Sequence, residues 1–182
     1  NNISWNQGYG VYLCAEGQCF NTDITIADNE IKNNQGWGVN FYYIGVNDGS
    51  STVDISHNTI DSNDDGGIVI EQTGGEPDPE DTPEITIDNN VINNNAGPGI
   101  SLGNVTGVAI TNNTITDNGL SATGIEISSA NGNYAHHNRI VSNAGNGVQN
   151  NDDNDFDAEQ NWWGDASGPN HATDNPSATG DA

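Results

Sequence analysis

Ile85-Thr86-Ile87-Asp88-Asn89-Asn90-Val91-Ile92-Asn93-Asn94-Asn95-Ala96-Gly97-Pro98-Gly99-Ile100-Ser101-Leu102 carries three marks that recur along the chain: an Asn (Asn90), an aliphatic residue two later (Ile92) and a second Asn (Asn95), followed by Gly99 and Ile100. The first Asn recurs at Asn1, Asn29, Asn58, Asn90, Asn113, Asn138 and Asn161, at intervals of 28, 29, 32, 23, 25 and 23 residues. Two positions on stand Ile3, Ile31, Ile60, Ile92, Ile115, Ile140 and finally Trp163. Five positions on stand Asn6, Asn34, Asn63, Asn95, Asn118 and Asn143. A Gly column follows at Gly10, Gly38, Gly67, Gly99, Gly124 and Gly147, each with Val or Ile after it.

Within each unit, apolar and polar residues alternate over a few positions and break at Asn or Gly, which is the pattern of short half-buried strands. No window shows the i, i+3, i+4, i+7 stripe of an amphipathic helix. A unit of this size cannot bury its own inward face, so the units stack, each laying its strands in parallel on those of the unit before. The expectation is an all-β solenoid of about six coils. Asn suits the columns because it tolerates the left-handed backbone of a sharp corner and can bond to stacked copies of itself. Gly is expected to turn the other corner by the same conformational freedom. Seven registers at roughly 4.8 Å per strand give a rod on the order of 30 Å long.

These Asn-x-Ile and Gly-Ile units resemble those of the right-handed parallel β-helix proteins, the pectate-lyase-like superfold, over residues 1–164. The resemblance implies a right-handed parallel β-helix. It says little about function, because that superfold carries lyases, hydrolases, epimerases, adhesins and viral spikes. A second segment, Asn161-Trp162-Trp163-Gly164-Asp165-Ala166-Ser167-Gly168-Pro169, resembles the one that closes the repeat region in many bacterial and archaeal cell-surface β-helix proteins. Residues 165–182 are therefore expected to form a closing segment, with Trp163 taking the Ile column.

The chain has 182 residues, 26 of them acidic against Lys32 and Arg139 alone, for a formal net charge of −24. Such a surface repels nucleic acid and anionic membranes. High charge of one sign is a device of halophiles, which points to a salt-adapted source, haloarchaeal or otherwise halophilic. The other reading of the charge is an acidic secreted protein that holds divalent cations. There is no signal peptide or membrane-spanning run. The start in mid-repeat, without a polar cap, suggests part of a longer secreted or surface-anchored protein. An extracellular or cell-surface location follows, with the rest of that precursor and glycans or cell-surface components as partners.

Several residues stand out as site candidates. Tyr9 and Trp37 share the column before the corner Gly, so on adjacent coils they are expected to face outward one above the other and grip a sugar ring. The alternative is that they cover a flap made by the two long insertions. Alternation puts Phe41 inward. Cys14 and Cys19 enclose four residues and suit a local disulfide in an oxidising compartment, or less readily a metal pair. Asp153, Asp155 and Asp157 alternate as the first ligands of a Ca²⁺ loop do, though Ala158 stands where such a loop wants Gly and register puts Phe156 and Ala158 in the core. Ca²⁺ is the one cofactor the sequence suggests. Asn2, Asn104 and Asn112 head glycosylation sequons.

The superfold invites a polysaccharide lyase or glycoside hydrolase, but the chemistry is thin. A lyase acting on uronates needs a base and cations, and Lys32 and Arg139 lie about four coils apart, on the order of 15–20 Å. A hydrolase needs two facing carboxylates, and no pair is singled out among so many. His136 and His137 are adjacent, so a strand points them to opposite faces. The sequence thus favours a structural or adhesive domain that binds polysaccharide or glycan, over an enzyme or an end-to-end assembly subunit.

Overall fold

The computed structural model describes residues 1–16, 23–44, 52–73, 84–119, 122–128, 132–171 and 175–180. Each complete coil has three short strands. The first coil is β1 (Asn2–Ser4), β2 (Val11–Glu16) and β3 (Ile24–Ala27), and the second is β4 (Glu30–Lys32), β5 (Trp37–Ile44) and β6 (Thr52–Ser56). The third is β7 (Thr59–Asp61), β8 (Gly66–Thr73) and β9 (Glu84–Asp88), and the fourth is β10 (Val91–Asn93), β11 (Ile100–Gly103) and β12 (Val108–Thr111). The fifth is β13 (Thr114–Thr116), β14 (Ile125–Ser128) and β15 (Tyr134–His136), and β16 (Arg139–Val141) and β17 (Val148–Asn150) begin a sixth. Corresponding strands pair in parallel into sheets of six, six and five strands. The expected six coils are thus five complete ones and a sixth whose third side is reduced to a single bridge, Tyr134 to Asp157.

Register follows the columns of the sequence. Ile31, Ile60, Ile92, Ile115 and Ile140 stack in the first sheet, and Val39, Ile68, Ile100 and Ile125 in the second, all fully buried. Phe41 points inward, pairs with Leu13 and Ile70 and is fully buried. Each such side chain is worth about 1.5–3 kcal/mol in burial, and a narrow solenoid collects it rung by rung.

From Asn58 to Asn138 in the first Asn column and from Asn34 to Asn143 in the second, the side chains are buried and bonded along their own column. In the first, Nδ2 of Asn58, Asn90, Asn113 and Asn138 donates to Oδ1 of the Asn one coil on at 3.0–3.1 Å. The same Nδ2 atoms donate to the carbonyls of Ile26, Ile55, Ile87 and Ile110 at 2.7–2.8 Å. Each Oδ1 also accepts the backbone N–H of the preceding Asn. The second column, Asn34 through Asn143, repeats this at 2.9–3.1 Å. A buried primary amide has two donors and two acceptor sites, and here all four are used.

Two expectations about corners need correcting. The left-handed residue is not the ladder Asn but the one just before it. Asp28, His57, Asn89, Asn112, His137 and Gln160 precede the first ladder, and Trp5, Asn33, Ser62, Asn94, Asp117 and Ser142 precede the second, all with φ of 54–62°. The ladder Asn must aim its amide at the next coil, so the turn falls one residue earlier. Trp5 is the misfit, since a left-handed backbone costs a bulky L-residue about 1–2 kcal/mol. The Gly column is not left-handed either. A Cβ on Gly38 would lie 2.5 Å from Ile60 Cγ2 and 2.8 Å from Gly67 O, and one on Gly99 would lie 2.7 Å from Gly124 O. These glycines let adjacent coils approach closely.

At the far end Trp163 enters the core cluster and is 8% exposed, while Trp162 faces out beside Arg139. Residues 164–171 and 175–180 fold across that end. Pro169 bridges Gly180, His171 bridges Asn175, and Ala178 is buried. A Cβ on Gly180 would lie 2.7 Å from Trp163 O, so this segment seals the last rung.

Candidate functional site

Strand alternation sorts the aromatic residues of the first two coils. In the second sheet Val11, Leu13, Val39 and Phe41 point in, which turns Tyr12, Asn40, Cys14 and Tyr42 out onto one face. Tyr12 pairs with Asn40 and Cys14 with Tyr42 across the first rung, and Tyr42 pairs with Glu71 on the next. Tyr12 is 52% exposed and Tyr9, at the entrance to the same strand, 42%. Their rings stack with centroids 5.2 Å apart and planes inclined by 22°. Hydrogen bonding with the Cys14 thiol, aided by partial burial, raises the Tyr12 hydroxyl above the ordinary tyrosine range.

Tyr9 and Trp37 do sit on paired backbones, the Gly10 N–H donating to the Trp37 carbonyl at 2.9 Å. Each ring leans toward the following coil. Tyr9 lies over Gly36, and Trp37 lies over Gly66, where a Cβ would fall 2.3 Å from the indole. Trp37 is half-buried against that glycine, and the exposed platform is the Tyr9–Tyr12 stack. The sequence reading missed Tyr12 and Tyr42, although the inward assignment of Phe41 and Leu13 implied that their neighbours face out.

The remaining candidates separate. Asp153, Asp155 and Asp157 do not converge as a Ca²⁺ loop: among the described residues no three His, Cys, Asp or Glu come together to hold a metal. Phe156 and Ala158 lean partly buried on the core, the chain bends at residues 152–154 and makes a single bridge at Asp157, and all three carboxylates stay exposed. A Ca²⁺ loop must instead wrap its ligands to within about 2.3–2.6 Å of the ion. Cys14 belongs to the aromatic face, and Cys19 lies outside the described residues. Asn2 and Asn112 are exposed. Asn104 adopts φ 54° and donates to the Gln72 carbonyl at 3.3 Å.

Asp157 has a different role. Its Oδ1 lies 2.9 Å from His136 Nε2 and accepts the Glu159 N–H at 3.2 Å, tying the last irregular stretch to β15. The imidazole first, then the backbone bond, hold its carboxyl below the ordinary aspartate range. A lowered folded pKa gives stability that is present above the unfolded value of about 3.9 and is lost as pH falls through the folded one. Asp157→Asn is therefore expected to flatten the acid limb of a thermal-midpoint profile measured from neutral pH to below about 3.9. An acid limb of unchanged slope would show that the contact contributes nothing.

Comparison with known families adds two matches. A family model described as "Right handed beta helix region" matches residues 1–81. One described as "Periplasmic copper-binding protein (NosD)" matches residues 50–163, which is 114 of the 182 residues. No curated protein and no solved structure matches. The described residues do not fit a copper centre. Copper wants clustered imidazoles, thiolates or thioethers, and the chain has no Met. The rings of His136 and His137 stand 6.3 Å apart at 71°, with His136 already facing Asp157. Matched over more than half its length, and with the parallel stacking of its strands to agree, the chain belongs to the NosD family and is built as a right-handed β-helix.

Proposed function

We propose that this protein is an extracytoplasmic β-helix that binds neutral polysaccharide on the aromatic face of its second sheet, without turning it over. The observation that carries the reading is the exposed Tyr9–Tyr12 stack beside Asn40, on the same face as Tyr42 and its neighbour Glu71. Flat apolar rings next to amide and carboxylate acceptors are what a sugar needs, the ring face for its C–H side and the acceptors for its hydroxyls. The matched family's description as periplasmic supports a place outside the cytoplasm. A charge of −24 favours uncharged glycans, because polyuronates would be repelled. It also supports a salt-adapted setting, since at 1 M salt the screening length falls to about 3 Å.

The test is a screen of neutral and acidic polysaccharides for binding and for product in molar KCl, with wild type and Tyr12→Ala. Binding of a neutral polymer without product, weakened about tenfold or more in Tyr12→Ala (~1.4 kcal/mol), is the expected result. Release of reducing or unsaturated ends would overturn it in favour of a polysaccharide-active enzyme.

A further inference from the structure

The corner between the first and second sheets carries a second feature that the aromatic face does not use. The left-handed position before the second Asn ladder is filled by Asn33, Ser62, Asn94, Asp117 and Ser142 in five coils, and by Trp5 in the first. Small polar residues suit that backbone, because their side chains can bond locally. An indole gains nothing there: Trp5 is 77% exposed and takes no part in the core. Strain held at an exposed aromatic is a signature of a side chain kept for contact with something else.

What surrounds it indicates the chemistry. Trp5 lines a depression of about 190 Å³ together with Asn6, Asn33, Gln35, Ser62 and Asp64. Its walls come from the second and third coils as well as the first, so it lies on the flank of the solenoid. Apart from the indole, every wall residue carries a hydrogen-bonding group: three amides, a hydroxyl and a carboxylate. Amides can meet neighbouring hydroxyls with a donor and an acceptor at once, and a carboxylate accepts two more. The volume is below the roughly 300–1,000 Å³ of pockets that enclose a drug-sized ligand, which suits one sugar ring and not a chain of them. Asp64 and the overall charge oppose an anionic occupant.

We infer that the Trp5 corner is a subsite for a single neutral pyranose unit, stacked on the indole and hydrogen-bonded by Asn33, Gln35 and Asp64. The inference rests on the glycan-binding reading and extends it. One glycan would run along the first rung, from the corner at Trp5 past Tyr9 to Tyr12.

The test measures binding of neutral hexasaccharides of glucose, mannose and galactose, with an oligogalacturonate as charged comparator, by calorimetry in molar KCl. Indole fluorescence is followed in parallel. Trp5→Asn installs the residue that this corner uses at Asn33 and Asn94, so it is expected to fold with an equal or higher thermal midpoint and to bind at least tenfold more weakly, while Trp5→Phe stays within about threefold of wild type. Wild-type affinity in Trp5→Asn, with the loss confined to Tyr12→Ala, would overturn the subsite and leave the aromatic face standing. Failure of wild type to bind any neutral hexasaccharide would overturn both. Preference for the galacturonate would overturn the neutral class.

Discussion

Asn113→Asp is expected to destabilise the protein by about 3–5 kcal/mol at neutral pH, a fall in thermal midpoint of about 10 °C, although it exchanges one NH₂ for one oxygen. Asn113 is 1% exposed. Its Nδ2 donates to Ile87 O at 2.8 Å and to Asn138 Oδ1 at 3.0 Å, while its Oδ1 accepts from Asn90 N and Nδ2 at 2.8 and 3.0 Å. A carboxylate keeps the accepting half and reverses the donating half. Two buried acceptors lose their donors, at about 1–3 kcal/mol each, and a second oxygen is set against them. Burial also raises the new carboxyl above its unfolded value of about 3.9, so the folded state binds the extra proton more tightly. The penalty is therefore full above the raised pKa and recedes as pH falls toward 3.9, opposite in sign to the acid limb set by Asp157. Asn146→Asp adds the same charge at an exposed position and is expected to stay within about 0.5 kcal/mol of wild type. Equal midpoints for the two variants would show that the ladder does not hold the coils together.

The ladders also show which parts of the fold the sequence discloses. Stacking forces residues with the same role into the same register, so a repeat of irregular length still reveals Asn90, Ile92 and Asn95 as columns, and the pairings of Ile92 with Ile60 and Ile115 follow. What periodicity does not give is the backbone angle at each position. Asn89 and Asn90 are the same residue type, yet Asn89 turns the corner at φ 54° and Asn90 faces inward. Only the contacts of the next coil distinguish them.

The aromatic face was half legible for a related reason. Alternation around Phe41 is enough to place Tyr12 and Tyr42 outside, but the column rule drew attention to Tyr9 and Trp37, which recur one above the other. Lateral neighbours along one rung, such as Tyr9 and Tyr12 at three residues' separation, leave no mark in a repeat. Trp5 is the reverse case. It stands in a column of Asn, Ser and Asp, and that departure becomes visible once the column is known to be left-handed. The Asp153, Asp155 and Asp157 alternation misled, because the same spacing arises where Phe156 and Ala158 lean on the core and leave the carboxylates between them in solvent.

Gly67→Ala is expected to cost about 3 kcal/mol, and the reason separates two accounts of the Gly column. If the glycines were needed for conformational freedom, a residue that accepts a left-handed backbone would replace them best, and Asn would be milder than Ala. Gly67, however, is not among the residues with positive φ. A Cβ there would fall 2.3 Å from Gly99 O and 2.6 Å from Ile92 Cγ2. The carbonyl cannot step aside, because it accepts the Ile68 N–H at 2.9 Å and so forms part of the rung. A methyl group at that point must push two coils apart where they bond, which outweighs the roughly 0.4–1 kcal/mol that Ala contributes by restricting the unfolded chain. Asn brings the same Cβ and more volume, so Gly67→Asn is expected to be worse than Gly67→Ala. Gly8 is the comparison: nothing lies within 4 Å of a Cβ built there, and Gly8→Ala is expected to be neutral or slightly stabilising. Chemical denaturation of the three variants gives the ordering, and Asn tolerated above Ala at Gly67 would return the column to a role in turning the chain.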